Sequence, residues 1–209
     1  MRGAVGDDIA EKARLSRVAA GSDMLPFSLA VGLLAAPTAL AVGRFDTLVV
    51  ADDVADPATL DPGKEFVEKN YTLLQQIFDP LVRFDADGRI EPALATDWRW
   101  LDPKTVEFKL RSGVRFHDGE AFDAECVRSS LLRYLDPKTG FPGAGFLASI
   151  EGVEVVDRHT VRIRTYFPDG ILLNRLAGFV LILPSRYVAE HDEAHLSSHP
   201  IGTGAFRFL

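Results

Sequence analysis

Apolar and polar positions along the chain switch between two periods, and the switches mark the elements. Residues 47–51 form a short apolar run closed by Asp52 and Asp53, the pattern of a buried strand. Asp56-Pro57 and Asp61-Pro62-Gly63 then predict a loop, because a residue before proline is pushed out of the helical region. Phe66, Leu73, Leu74, Ile77 and Phe78 recur at helical spacing, which predicts an amphipathic helix over residues 65–78. Leu81-Val82-Arg83-Phe84 predicts a strand, and Asp85-Ala86-Asp87-Gly88 a hairpin turn in which the glycine takes positive φ. Residues 105–110 alternate, with Val106, Phe108 and Leu110 on one face and Thr105, Glu107 and Lys109 on the other, as in a half-buried strand.

The second half continues in the same manner. Val127, Leu131, Leu132 and Leu135 share one side of a predicted helix over residues 122–135, with Asp123 as its N-cap and Asp136-Pro137 as its stop. Residues 141–145 are a Gly/Pro-rich loop. Residues 153–156 and 160–164 flank Asp157-Arg158-His159 as a second hairpin. Residues 171–176 predict a helix, 179–183 a buried strand, 185–190 another helix, and 205–208 the start of a strand. Helices and strands mix without a fixed repeat, so the fold class is α/β in the broad, mixed α+β sense.

Ahead of this region the pattern is different. Residues 24–43 are uncharged, bounded by Asp23 and Arg44, preceded by Arg14 and Arg17 and broken by Pro37. Ala39 and Ala41 supply small residues at the two positions that a signal peptidase reads, so residues 1–41 are expected to be a leader and export signal, and Val42 the first mature residue. An uncleaved membrane anchor is the rival, and Pro26, Gly32 and Pro37 weigh against its helix. Asp7, Asp8 and Glu11 make the leader unusually acidic, as a start codon further downstream would explain.

The 209 residues are 47% hydrophobic and 25% charged with a net charge of −7, an ordinary globular composition. Four basic and four acidic residues leave with the leader, so the mature charge is unchanged. An acidic chain without a basic run is a poor ligand for nucleic acid or an anionic bilayer. Cys126 is the one cysteine, which excludes an internal disulfide and any multi-cysteine metal cage. An exported chain without disulfides points to a bacterial periplasm.

No constellation of catalytic residues stands out. His117 and Asp118 are adjacent, so on a strand they face opposite ways and serve poorly as base and orienting group; a turn built on Asp118-Gly119 is the simpler reading. Trp98 and Trp100 share a face at strand spacing and predict packing. His191, His195 and His199 recur every four residues, but without the H-E-x-x-H pattern they read as a solvated helix face, not a metal site. Cys126 among apolar residues reads as a buried small hydrophobe. Gly202-Thr203-Gly204 has neither the lysine nor the helix of a phosphate loop.

Four stretches together are similar to the family 5 extracellular solute-binding proteins of ABC transporters. They are Leu60-Asp61-Pro62; Leu94-Ala95-Thr96-Asp97-Trp98; Gly113-Val114-Arg115-Phe116-His117-Asp118-Gly119 running into Phe122-Asp123-Ala124-Glu125; and Pro200-Ile201-Gly202-Thr203-Gly204-Ala205-Phe206. Cys126 stands where the family usually has Asp, and Ala121 and Ala205 where it usually has Pro.

The resemblance implies a periplasmic binding protein-like II fold, with residues 42–209 forming the N-terminal lobe region of a longer, two-lobed protein. It implies a monomeric receptor that captures a peptide or peptide-like small solute for an inner-membrane ABC permease, without nucleic acid, cofactor, metal or catalytic residue. The ligand-contacting positions it suggests are Glu65, Phe66 and Val67, as a segment whose backbone pairs with the ligand, and Phe146 as an aromatic in the cleft. The helix predicted from residue 65 and this extended segment exclude each other. Two alternatives stay open, a secreted hydrolase or metal-binding protein using His117, Asp118 and the three later histidines, and a non-functional fragment.

Overall fold

Residues 59–209 are described by a computed structural model, so the leader, Ala39, Ala41 and the predicted strand at 47–51 lie outside the described residues. Helix α1 (Glu68–Ile77) starts three residues later than its periodicity predicts. The Glu65 carboxylate accepts the backbone N–H groups of Phe66 and Val67, both at 2.8 Å, and holds these residues outside the helix. A side chain that satisfies its own neighbouring N–H groups competes with helix formation in this way. The helix therefore begins after residues 65–67, and Val67 is its N-cap in an extended conformation.

Strands β1 (Val82–Phe84) and β2 (Ile90–Pro92) form the predicted hairpin, with Gly88 at φ 77°. Strands β3 (Ala95–Asp102), β4 (Thr105–Leu110), β5 (Ile150–Asp157) and β6 (Thr160–Thr165) form an antiparallel sheet in the order β3-β4-β6-β5. Val106, Phe108, Val161 and Ile163 are buried, and α2 (Ala124–Leu135) packs on β5 and β6 with Val127 and Leu131 inward. Asp123 caps α2 as predicted, accepting from Glu125 N at 3.0 Å. Glu107, on the opposite face of β4, is also buried, beneath Arg99 and Arg162.

Beyond the sheet come α3 (Leu172–Phe179), α4 (Ser185–Glu190) and α5 (Glu193–Ser198). Phe179 ends α3, and residues 180–183 form no strand beyond one bridge between Pro80 and Leu181. The run is buried as expected, but side chains of α2 take the place of a sheet partner. The Tyr134 hydroxyl donates to Leu181 O at 3.0 Å and accepts from Leu181 N at 3.3 Å. One turn earlier, Ser130 Oγ accepts from Leu183 N at 3.0 Å and donates to Cys126 O at 2.7 Å. The predicted strand at 205–208 is likewise absent; Gly204 N and Phe206 N instead donate to Ile77 O and Gln76 O at the end of α1.

Candidate functional site

The segment that precedes α1 is anchored at three points. Arg133 of α2 forks the buried Asp61 carboxylate at 2.8 and 2.5 Å, and Asp61 also accepts from Gly63 N at 2.9 Å. Leu60 N donates to Ser197 O at the end of α5. Glu65 is buried; besides the two backbone N–H groups it accepts from Asn70 Nδ2 at 2.7 Å, so both its oxygens are engaged. An anionic group beside the first turn of α1 also suits the helix dipole.

These anchors present Phe66 and Val67 beside three further aromatic rings. Phe66 stacks on Phe146 with centroids 5.4 Å apart, meets Phe179 at 5.1 Å and the edge of Phe141 at 5.6 Å; Phe146 meets Phe179 at 5.2 Å. Such offset and edge contacts are the favoured aromatic geometries. Phe146 rides on a 3-10 turn (Ala144–Leu147) seated by the buried Leu147, and remains 48% exposed; Val67 is 56% exposed. The structure thus brings all four residues singled out from the sequence to one place. Glu65 braces the segment, Phe66 and Phe146 form an apolar shelf, and Val67 follows Phe66 with its side chain exposed. Phe141 and Phe179 had no signal that marked them, and Phe179 was hidden inside an apolar run that reads as a strand.

The shelf offers apolar surface beside a backbone that is extended at Val67, a surface suited to binding. Tyr71, whose phenol is pushed up by burial, stiffens it from below by donating to Phe179 O at 2.6 Å.

The other sequence candidates lie in structural roles. Asp118-Gly119 closes the expected turn, with Asp118 Oδ1 accepting from Glu120 N at 2.9 Å. Both ring nitrogens of His117 are engaged by the 202–204 segment, Nε2 with Gly204 O at 2.9 Å and Nδ1 with Gly202 N at 3.4 Å. Gly202 lies so close to α1 that a Cβ would fall 2.0 Å from Ile77 O, which explains glycine there. His191, His195 and His199 stack ring on ring at 4.1 and 4.4 Å, across a break at Asp192 that divides α4 from α5. Desolvation, and then the two flanking imidazoles, lower the His195 pKa. Among the described residues no group of three or more His, Cys, Asp or Glu is placed to hold a metal. Cys126 is buried in the first turn of α2, and desolvation raises its thiol pKa. Trp98 packs against the core, whereas Trp100 is 40% exposed. No helix of the described residues is long and apolar enough to cross a membrane.

Comparison with known proteins places this architecture. Residues 89–209 match the family "Bacterial extracellular solute-binding proteins, family 5 Middle". A glutathione-binding protein, GsiB of Pectobacterium atrosepticum, is 31% identical over 87% of this chain and 35% of its own length. The probable deoxycholate-binding periplasmic protein YgiS of Escherichia coli is 32% identical over 67% of this chain and 30% of its own. Among solved structures, the ABC transporter-associated periplasmic binding protein DppA of Helicobacter pylori, in complex with the peptide STSA, superposes with a TM-score of 0.67 at 30% identity. That superposition covers 74% of this chain and 35% of the other. The chain thus spans about a third of the length of these relatives.

Proposed function

This chain belongs to the bacterial extracellular solute-binding proteins of family 5, and from that premise we propose that it contributes one wall of the ligand cleft of a periplasmic ABC-importer receptor. The ligand is a peptide or peptide-like small solute, delivered to an inner-membrane permease. Residues 1–41 direct export, and residues 42–209 belong to the binding domain. Capture proceeds by closure of two lobes over the solute, a hinge motion driven by contacts that the ligand makes only in the closed state.

The observation that carries this reading is the shelf of Phe66 and Phe146 beside the non-helical Glu65-Phe66-Val67 segment, extended at Val67. Because both Glu65 oxygens are already engaged, this wall grips through apolar contact and does not supply the charge that meets a ligand amino group. The relatives named for glutathione, for deoxycholate and in complex with a peptide support a small organic solute.

The test is calorimetric titration of a peptide panel into the protein isolated from periplasm, beside its Phe146→Ala variant. Covering the exposed half of a phenyl ring is worth about 1 kcal/mol, so the variant should bind about fivefold more weakly with its fold intact. Unchanged affinity in a folded Phe146→Ala protein would remove the shelf from the cleft.

A further inference from the structure

A second concave feature lies on the sheet, in a place that the solute-binding reading does not use. It is a cleft of about 200 Å³ between the turn after β4 and the β5–β6 hairpin, lined among others by Gly113, Arg115, Phe122, Arg158 and His159. Clefts for whole organic ligands run from about 300 Å³ upward, so this one suits a single small group.

Its electrostatics are unusual for this molecule. Among the described residues, every arginine from Arg83 to Arg186 has a carboxylate partner except Arg111, Arg115 and Arg158, and two of those three line the cleft. Arg115 makes one hydrogen bond, to Gly119 O at 2.9 Å. His159 lines the cleft with them, its Nδ1 turned away from solvent. No carboxylate lines the cleft. Asp157 and Asp123, its neighbours in sequence, are taken up by the backbone N–H groups of His159 and of Glu125. In a chain of net charge −7, two guanidinium groups without a counter-ion among the described residues beside one cleft are not a by-product of a basic surface.

We infer that this cleft binds a small oxyanion, a phosphate or carboxylate group, through the guanidinium groups of Arg115 and Arg158. Planar guanidinium forks match the oxygens of either group, and the low rim of exposed side chains lets a free anion enter. The site stands independently of the ligand cleft proposed above, because it shares no residue with the aromatic shelf.

The experiment is an amide NMR titration of the chain with inorganic phosphate, and separately with acetate, at matched ionic strength. Saturable shifts at Gly113, Ala121 and His159, with a Kd of ~1 mM or tighter, are expected for at least one anion. The tighter of the two identifies the group. Arg158→Gln should weaken binding about tenfold and Arg158→Lys by nearly as much, since an ammonium loses the fork. The Arg158 side chain has no partner within the described residues, so neither change disturbs the fold, and unchanged amide dispersion verifies that. Arg111→Gln removes an equal charge outside the cleft and should leave binding within about twofold. Shifts that stay linear for both anions, or an equal loss in Arg111→Gln, would overturn the site.

Discussion

Arg133 and Asp61 lie 72 residues apart and form a bidentate ion pair in which the Asp61 side chain is wholly buried. The pair fastens the loop that carries Phe66 to the middle helix of the fold. Removing one partner of such a pair leaves a buried charge without compensation, at a cost of about 3–5 kcal/mol. Arg133→Met should lose that much stability in urea titrations, whereas a double replacement with Asp61→Asn should recover part of it. A single variant as stable as the parent would show that the pair does not hold the loop.

The latches on residues 180–183 give a second expectation. Tyr134 is fully buried, and desolvation drives its phenol well above the usual range, so it acts as a neutral hydroxyl at every physiological pH. Tyr134→Phe deprives Leu181 of its partners and should cost about 1–3 kcal/mol. Ser130→Ala should cost less, because the shortest bond of its hydroxyl lies within α2. Both act on one strand-like segment, so the double variant should lose less than the sum. Strict additivity in denaturation experiments would contradict the shared latch.

These two relationships also mark where the amino-acid sequence falls silent. Asp123, Gly88 and the Asp157-Arg158-His159 turn act on neighbours within a few residues, so the cap and both hairpins were legible locally. Residues 179–183 have the composition of a strand, but beyond one bridge at Pro80 their partners are two hydroxyls from a helix some fifty residues earlier. Local pattern cannot distinguish these from a neighbouring strand. The start of α1 fell to a side chain, Glu65, whose carboxylate outcompeted a helical period that was itself present. For the candidate site, Phe66, Val67 and Phe146 were reached through family resemblance, whereas Phe179 required the tertiary structure.

Glu107 predicts an acid-sensitive sheet. Hydrogen bonds from Arg99 at 2.8 Å and then from Arg162 at 2.9 Å hold its carboxyl below the ordinary value of 4.5. A pKa depressed by folding contributes stability that is present above 4.5 and lost as pH falls through the lower, folded value. Glu107→Gln should therefore be less stable than the parent at neutral pH. The gap should narrow as pH drops below 4.5, and urea midpoints at several pH values measure it. A gap that is independent of pH would assign the loss to packing instead.

Gly143 underlies the shelf, and its replacement tests the shelf's geometry apart from its chemistry. A Cβ at this position would fall 2.3 Å from Phe66 Cε2 and 2.7 Å from Phe141 Cζ, inside the 3.0 Å that real Cβ atoms respect. Gly143→Ala must therefore push Phe66 off its stack with Phe146, with an overpacking cost of about 1–3 kcal/mol. At this chain length that corresponds to a fall in Tm of roughly 2–4 °C per kcal/mol. Adding Phe66→Leu opens room for the new methyl group and should restore much of the stability. It should not restore affinity for a peptide, because the ring that faced it is gone. If Phe66→Leu fails to relieve Gly143→Ala, the clash is not carried by Phe66, and the ring does not rest where the shelf requires it.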